Sequence, residues 1–256
     1  MPTLPHSRRA LGWLALTCLP IACTGAGGTP TPEPPDHLPT PNIVLPVFTQ
    51  ERTLTNATLG PTPLVGSVRA GEDAWVVNLD RPEVAPVRVR ADGEGTFTAR
   101  VEGAHDGDRI RVVARTATRH SQPADLTIFG SASEPGMFKA ADPTALACLT
   151  VERDELVSVV ARGAAHTQFF NLINRCDQPV RLDDVRMHRG DQGMTVLAPP
   201  ASIAVGSAAQ VAVSFDGHDD DLERADVVLL EISSGAETGR YALGVYSVSS
   251  SSLGKD

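Results

Sequence analysis

Lysine is nearly absent from this chain, and aromatic side chains are scarce. Only Lys139 and Lys255 are lysines, against 20 arginines, which reads as genome base composition rather than chemistry. Aromatics make up 4% of the 256 residues. Beyond the N-terminal segment the chain has one tryptophan, Trp75, and two tyrosines, Tyr241 and Tyr246. Tyr241 and Tyr246 are five positions apart and face opposite sides of a strand, so they do not form one carbohydrate-stacking platform. Trp75 reads as a core anchor of the body that contains it. No run of about 20 apolar residues follows the N-terminus, which leaves no helix of membrane-spanning length. Basic charge is also in deficit: 22 basic against 31 acidic residues give −9. Without Arg8 and Arg9, which lie in a segment read below as cleaved, 20 against 31 gives −11. Such a surface repels phosphate backbones, so nucleic acid is not an expected partner. Gly-x-Ser-x-Gly, His-Glu-x-x-His, P-loop and dinucleotide fingerprints are missing. No catalytic residue and no cofactor is therefore expected, and the chain reads as a non-enzyme.

What is present begins with an address. His6, Arg8 and Arg9 precede an uncharged run from Ala10 to Ala22, the basic and short apolar regions of an export signal over residues 1–22. The run ends in Leu19-Pro20-Ile21-Ala22-Cys23, which resembles a bacterial lipoprotein signal. That resemblance implies lipidation at Cys23 and a membrane anchor; ordinary cleavage near Ala26 remains open. From Thr24 to Asn42 there are six prolines in 19 residues, with Gly25, Gly27 and Gly28. Residues 23–41 thus read as a tether that stiffens into polyproline II.

Beyond the tether, apolar residues alternate with polar ones. Val87-Arg88-Val89-Arg90, Phe97-Thr98-Ala99-Arg100-Val101 and Ile110-Arg111-Val112-Val113-Ala114 have the period of half-buried antiparallel strands. Asp92-Gly93-Glu94-Gly95 and Asp106-Gly107-Asp108 supply hairpin turns between them. Further strands are expected at 43–49, 65–69, 74–79 and 126–129. In the second half, 169–174, 180–185, 203–207, 210–215 and 227–232 repeat the pattern. The fold class expected is all-β, with two Ig-like β-sandwiches in tandem at 42–129 and 145–248. A Gly/Ser/Pro-containing linker at 130–144 and a Ser-rich tail at 249–256 complete the expected organisation.

The stretch Gly66-Ser67-Val68, Gly71, Val76-Val77, Ala91-Asp92-Gly93-Glu94-Gly95-Thr96-Phe97 and Ser121-Gln122-Pro123-Ala124 resembles the bacterial Ig-like (Big-type) repeats of cell-surface proteins. The second body resembles the sandwiches of the ASPM/SPD-2/Hydin and major-sperm-protein type. Leu172-Ile173-Asn174, the Val205-Gly206 turn and Val211-Ala212-Val213-Ser214-Phe215 carry that resemblance. Val205-Gly206 stands where that family commonly has Pro-Gly, and Asp216 where a proline often follows the phenylalanine. Both resemblances imply a fold, not an activity.

With Cys18 and Cys23 in the export segment, Cys148 and Cys176 are the remaining thiols. In an oxidising compartment the simplest expectation is a disulfide, with free thiols or a metal or catalytic role as alternatives. The densest acidic cluster is Asp216, Asp219, Asp220, Asp221 and Glu223, with His218 among them. It is a weak calcium candidate, because a solvated acidic loop has the same composition. The acids of His105-Asp106-Gly107-Asp108 are accounted for by the turn. The functional expectation is a lipid-tethered cell-envelope protein, in the outer membrane and facing periplasm or cell surface, otherwise periplasmic or secreted. Its role is to bind a protein partner or build an assembly, with sheet edges as the route. A calcium- or glycan-binding module is the alternative.

Overall fold

Side chains that alternate between core and surface one residue at a time build this chain. In the computed structural model the described residues are 38–45, 54–116, 119–141, 145–153, 155–218 and 223–250. Among them there are strands, turns and bends but no α-helix. Cys23 and the tether up to residue 37 lie outside the described residues, as do 219–222 and 251–256.

The first half contains β1 (Asn42–Ile43), β2 (Thr62–Ser67), β3 (Asp73–Asn78), β4 (Val87–Arg90), β5 (Thr96–Val101), β6 (Arg109–Arg115), β7 (Ala124–Phe129) and β8 (Met137–Ala140). They form two sheets, β1-β2-β5 and β4-β3-β6-β7-β8, all pairs antiparallel. Leu64, Phe97, Ala99 and Val101 from one sheet pack on Val76, Ile110, Val112 and Ile128 from the other. The second half contains β9 (Leu149–Val151), β10 (Glu155–Ala161), β11 (Ala165–Asn174), β12 (Val180–Met187) and β13 (Met194–Leu197). After these come β14 (Ser202–Ile203), β15 (Ala208–Asp216), β16 (Glu223–Ser234) and β17 (Glu237–Ser250). Its sheets are β10-β17-β16-β12-β14 and β13-β15-β11-β9. Phe170, Leu172, Val211, Val213 and Phe215 meet Leu156, Val228, Leu230, Leu243 and Val245 between them. The chain is all-β and built of Ig-like β-sandwiches, as its alternation predicts.

The expected turns are present, but they are not hairpins: β4 and β6 belong to one sheet and β5 to the other, so both turns carry the chain from sheet to sheet. Gly95 has φ +85° and Gly107 φ +101°, the left-handed region that glycine enters without penalty. At Gly95 a Cβ would also sit 2.3 Å from the Val68 carbonyl oxygen, so this turn requires glycine twice over.

Several boundaries need correction. Residues 130–144, read as a linker, contain β8, which pairs with β7 from Leu126↔Ala140 to Phe129↔Met137. The glycines there serve close approach: a Cβ on Gly130 would lie 3.0 Å from the Gly136 backbone. Leu38, placed in the tether, is buried and bridges to Ser121, with its N–H donating to the His120 carbonyl at 3.0 Å. In the tail expected at 249–256, β17 continues to Ser250, because β10 pairs with it in parallel out to Ala161↔Ser250.

Candidate functional site at the junction of the sandwiches and on their exposed strands

Parity decides what each five-stranded sheet shows on its outer face. In β3, Ala74 and Val76 enter the first core, so Trp75 and Val77 point out the other side. In β16, Val228 and Leu230 enter the second core, so Val227 and Leu229 point out. These outward residues meet each other. Trp75, Val77, Leu79 and Val113 of the first sandwich bury against Val227, Leu229 and Tyr246 of the second. Four sheets therefore stack in sequence within one compact unit. Trp75 is an anchor, but of this junction and not of the first core. Tyr241 and Tyr246 do face opposite ways: Tyr241 donates its hydroxyl to the Leu146 carbonyl at 2.7 Å, whereas Tyr246 lies in the junction.

Charged groups close both ends of this apolar layer. At one end Arg115 pairs with Glu223, and its guanidinium lies 5.4 Å from the Trp75 ring centre and 5.1 Å from that of Tyr246. His120 stacks on Tyr246, with centroids 3.7 Å apart, and its Nε2 is 3.4 Å from the Glu223 carboxylate. Burial pulls the Glu223 carboxyl upward, but its bonds to His120 and Arg115 outweigh that and hold it below the usual glutamate range. Burial also pushes the Tyr246 phenol well above its ordinary value. In the middle, Arg111 forks onto Asp125 at 2.8 and 2.7 Å and donates across the junction to the Ala242 carbonyl. At the other end Arg240 pairs with Asp80 and reaches the Leu79 carbonyl.

Beside Arg240 an open crevice of about 470 Å³ is lined by Leu54, Asn56, Asp80, Arg81, Asp106, Asp108 and Arg109. Asp106 and Asp108, read from sequence as turn formers, are buried acceptors. Asp106 takes the N–H and hydroxyl of Thr55 and the N–H of Gly130; Asp108 takes Asn78, Arg81 and the His105 N–H. Burial and the neighbouring Arg240 lower the Arg109 guanidinium from its ordinary value. His188 is buried at the same junction, next to the Asn78 backbone and Asp226. Burial lowers its pKa, and neither ring nitrogen makes a well-formed hydrogen bond among the described residues.

The calcium candidate comes apart at its last member. Glu223 is turned onto Arg115 and His120, which its carboxylate pairs with. Asp219, Asp220 and Asp221 lie outside the described residues, and Asp216 sits at the end of β15 with its N–H bonded to the Gly193 carbonyl. Among the described residues no group of three or more His, Cys, Asp or Glu side chains is placed to hold a metal ion. Cys148 and Cys176 form a disulfide with Cα atoms 4.8 Å apart. Cys176 is part of the second core and Cys148 packs against it.

On the far face of the stack, the four-stranded sheet of the second sandwich shows solvent a row of cross-strand neighbours, Leu197, Ala212 and Phe169. Phe169 is 48% exposed and Leu197 41%. The flanking rows on this face are Thr195, Ser214 and Thr167 on one side and Gln210 and Asn171 on the other, none of them charged.

No protein-family model matches the chain. No curated protein matches it either. Among solved structures it is similar to the ASH/PapD-like domain of human CEP192, at 10% identity over 43% of this chain and 89% of that one, TM-score 0.34. It is also similar to the VesB protease of Vibrio cholerae, at 10% identity over 70% and 62%, TM-score 0.38. A Porphyromonas gingivalis W83 protein of unknown function matches at 13% identity over 76% and 97%, TM-score 0.33. Nothing in these likenesses assigns a chemistry to this chain.

Proposed function

We propose that the chain is a non-catalytic, membrane-tethered envelope protein whose two sandwiches act as one protein-binding or assembly module. The observation that carries this reading is the Phe169–Ala212–Leu197 row on the outer face, with no charge in the rows directly beside it, on a chain of net charge −9. Exposed apolar side chains grouped on a flat sheet and free of charge are the pattern of a protein contact surface. The carboxylates and guanidiniums described at the junction support the same reading, since they bond to protein groups that hold the stack together. In this proposal Cys23 carries the lipid and the residues after it form the spacer. The first sandwich is placed with bacterial surface Ig-like repeats and the second with ASPM/SPD-2/Hydin-type sandwiches.

Two measurements test it. Replacing Cys23 with Ser should move the protein from the membrane fraction to the soluble fraction, because among the described residues no helix is long and apolar enough to cross a membrane. A wild-type protein that is already soluble and starts near Ala26 would overturn the anchor. Phe169→Asp should abolish in-cell cross-linking to an envelope protein while leaving the melting temperature unchanged, since Phe169 is outside both cores. Cross-linking that is indifferent to Phe169→Asp removes this face from the function.

A further inference from the structure

Sheet edges expose unpaired backbone groups, and most edges of this chain are short or charged, the usual protection against strand addition. β1, β9 and β14 are two or three residues long, β13 is uncharged but only four, β4 carries Arg88 and Arg90, β5 carries Arg100, and β8 carries Lys139. β10 is the exception. At seven residues it is the longest edge strand, and no charge interrupts it from Leu156 to Ala161. Val157 and Val159 on it are 42% and 57% exposed. Val157 pairs with Tyr246 and so lies on the junction side of its sheet. Its exposure means that the first sandwich, which reaches Glu155 at the start of β10 through His120, leaves Val157 uncovered.

We infer that β10 is a self-association edge, which takes β10 of a second copy of this chain in an antiparallel pair centred on Ser158. The inference stands independently of the tether and of the Phe169 face. Three features fit a second copy in particular. The sequence Leu156-Val157-Ser158-Val159-Val160 reads nearly alike in both directions. Centred on Ser158, the pairing sets Val157 against Val159 of the second copy and Leu156 against its Val160. Apolar residues thus meet apolar ones on both faces. Ladder parity agrees. The Val157 carbonyl accepts from Gln168 Nε2 at 2.7 Å, so the backbone groups of Val157 and Val159 point away from β17. In this register Val157 and Val159 of opposite copies exchange the hydrogen bonds, once the Gln168 side chain swings aside.

The third feature is an unmet demand. Ser158 and its register neighbour Ser247 are 2% and 1% exposed on the inner face of the sheet, and neither hydroxyl has a hydrogen-bond partner among the described residues. A buried hydroxyl without a partner is destabilising. The proposed pairing places Ser158 directly opposite Ser158 of the second copy. Four hydroxyls in a row, Ser247 and Ser158 from each copy, then cross the joined ten-stranded sheet with a neighbour for each. Glu155 at the start of β10 and Arg162 just after it come to the same end of the pair, so opposite charges meet there.

Sedimentation velocity of the exported protein carrying Cys23→Ser, over a concentration series, should show a reversible dimer. Val159→Lys should leave only monomer, whereas Leu197→Lys on the outer face should not change the mass. Ser158→Ala should weaken association about fivefold through loss of the cross-strand hydroxyl contact. Register is read separately. Under mild oxidation Ser158→Cys should cross-link two chains, because its Cα atoms face each other about 4.5 Å apart in a non-hydrogen-bonded pair. Val157→Cys, which faces Val159, should cross-link far more slowly. A wild type that stays monomeric to the highest concentration, a dimer that survives Val159→Lys, or equal cross-linking at 157 and 158 would overturn the proposal.

Discussion

The pair Arg115–Glu223 sets the energetics of one end of the junction. Both side chains are nearly shielded, with 5% and 12% of their surface exposed, so removing one leaves the other charge buried and unpaired. Arg115→Met should cost about 3 kcal/mol of stability. Adding Glu223→Leu to that variant should recover much of the loss, because two apolar residues no longer strand a charge. Equal destabilisation by the single and double variants in urea titrations would mean that the pair is not the latch. Acid acts on the same layer. The pKa of His188 is lowered by burial from an ordinary value of 6.5, so its contribution is complete above 6.5 and is lost as pH falls below it. The Glu223 carboxyl is held below an ordinary value of 4.5, so its contribution is present above 4.5 and is lost under stronger acid. Melting temperature should therefore be flat between about pH 7 and pH 9 and fall in two stages on the acid side. His188→Gln should flatten the first stage only, as thermal scans across pH would show.

At the scale of strands, the disulfide clamps the start of the second sandwich. Arg175 donates its N–H to the Cys148 carbonyl at 2.9 Å, and Leu146 and Leu149 beside the bridge belong to the core. The loop closed spans 28 residues, for which chain entropy gives roughly 3.5 kcal/mol. Reduction, or Cys148→Ser with Cys176→Ser, should lower stability by about 2–4 kcal/mol in denaturant titrations. Mass spectrometry of the unreduced exported protein should find no alkylatable thiol at either position. The bridge was readable from two leftover cysteines in one body, and β4, β5 and β6 from their clean alternation. β8 was not, because four strand residues among Gly, Pro and Ser look like linker. In β17, Gly239 and Gly244 break the alternation. A Cβ on Gly244 would lie 2.7 Å from the Tyr246 hydroxyl, so that glycine marks packing room rather than a turn. Trp75 was legible as an anchor but not as an anchor of the junction. Alternation says that a residue faces out of its own sheet, and only tertiary packing says what covers it.

At the scale of the whole molecule, the outer faces that a pair of independent sandwiches would show to water are covered by each other. Trp75, Val77, Val227, Leu229 and Tyr246 are each 5% exposed or less, and separating the sandwiches would return them to solvent together. Burying a tryptophan, a tyrosine and several branched side chains contributes several kcal/mol, at roughly 1.5–3 kcal/mol for each large apolar side chain. Ion pairs at both ends and the Arg111 bond to Ala242 fix the register. The two sandwiches should accordingly unfold as one cooperative unit rather than as tandem modules. Trp75 supplies the probe, since the chain's other tryptophan is Trp13 in the export segment. Its fluorescence should be blue-shifted in the native state and should red-shift in the same transition that removes the far-UV strand signal. Limited proteolysis should leave a fragment holding both sandwiches. Leu229→Ala, which keeps the Trp75 probe in place, should lower the midpoint for both signals alike, by about 2–5 kcal/mol of stability. If tryptophan fluorescence changes at a lower denaturant concentration than the strand signal, the junction opens before either core, and the two sandwiches are hinged modules.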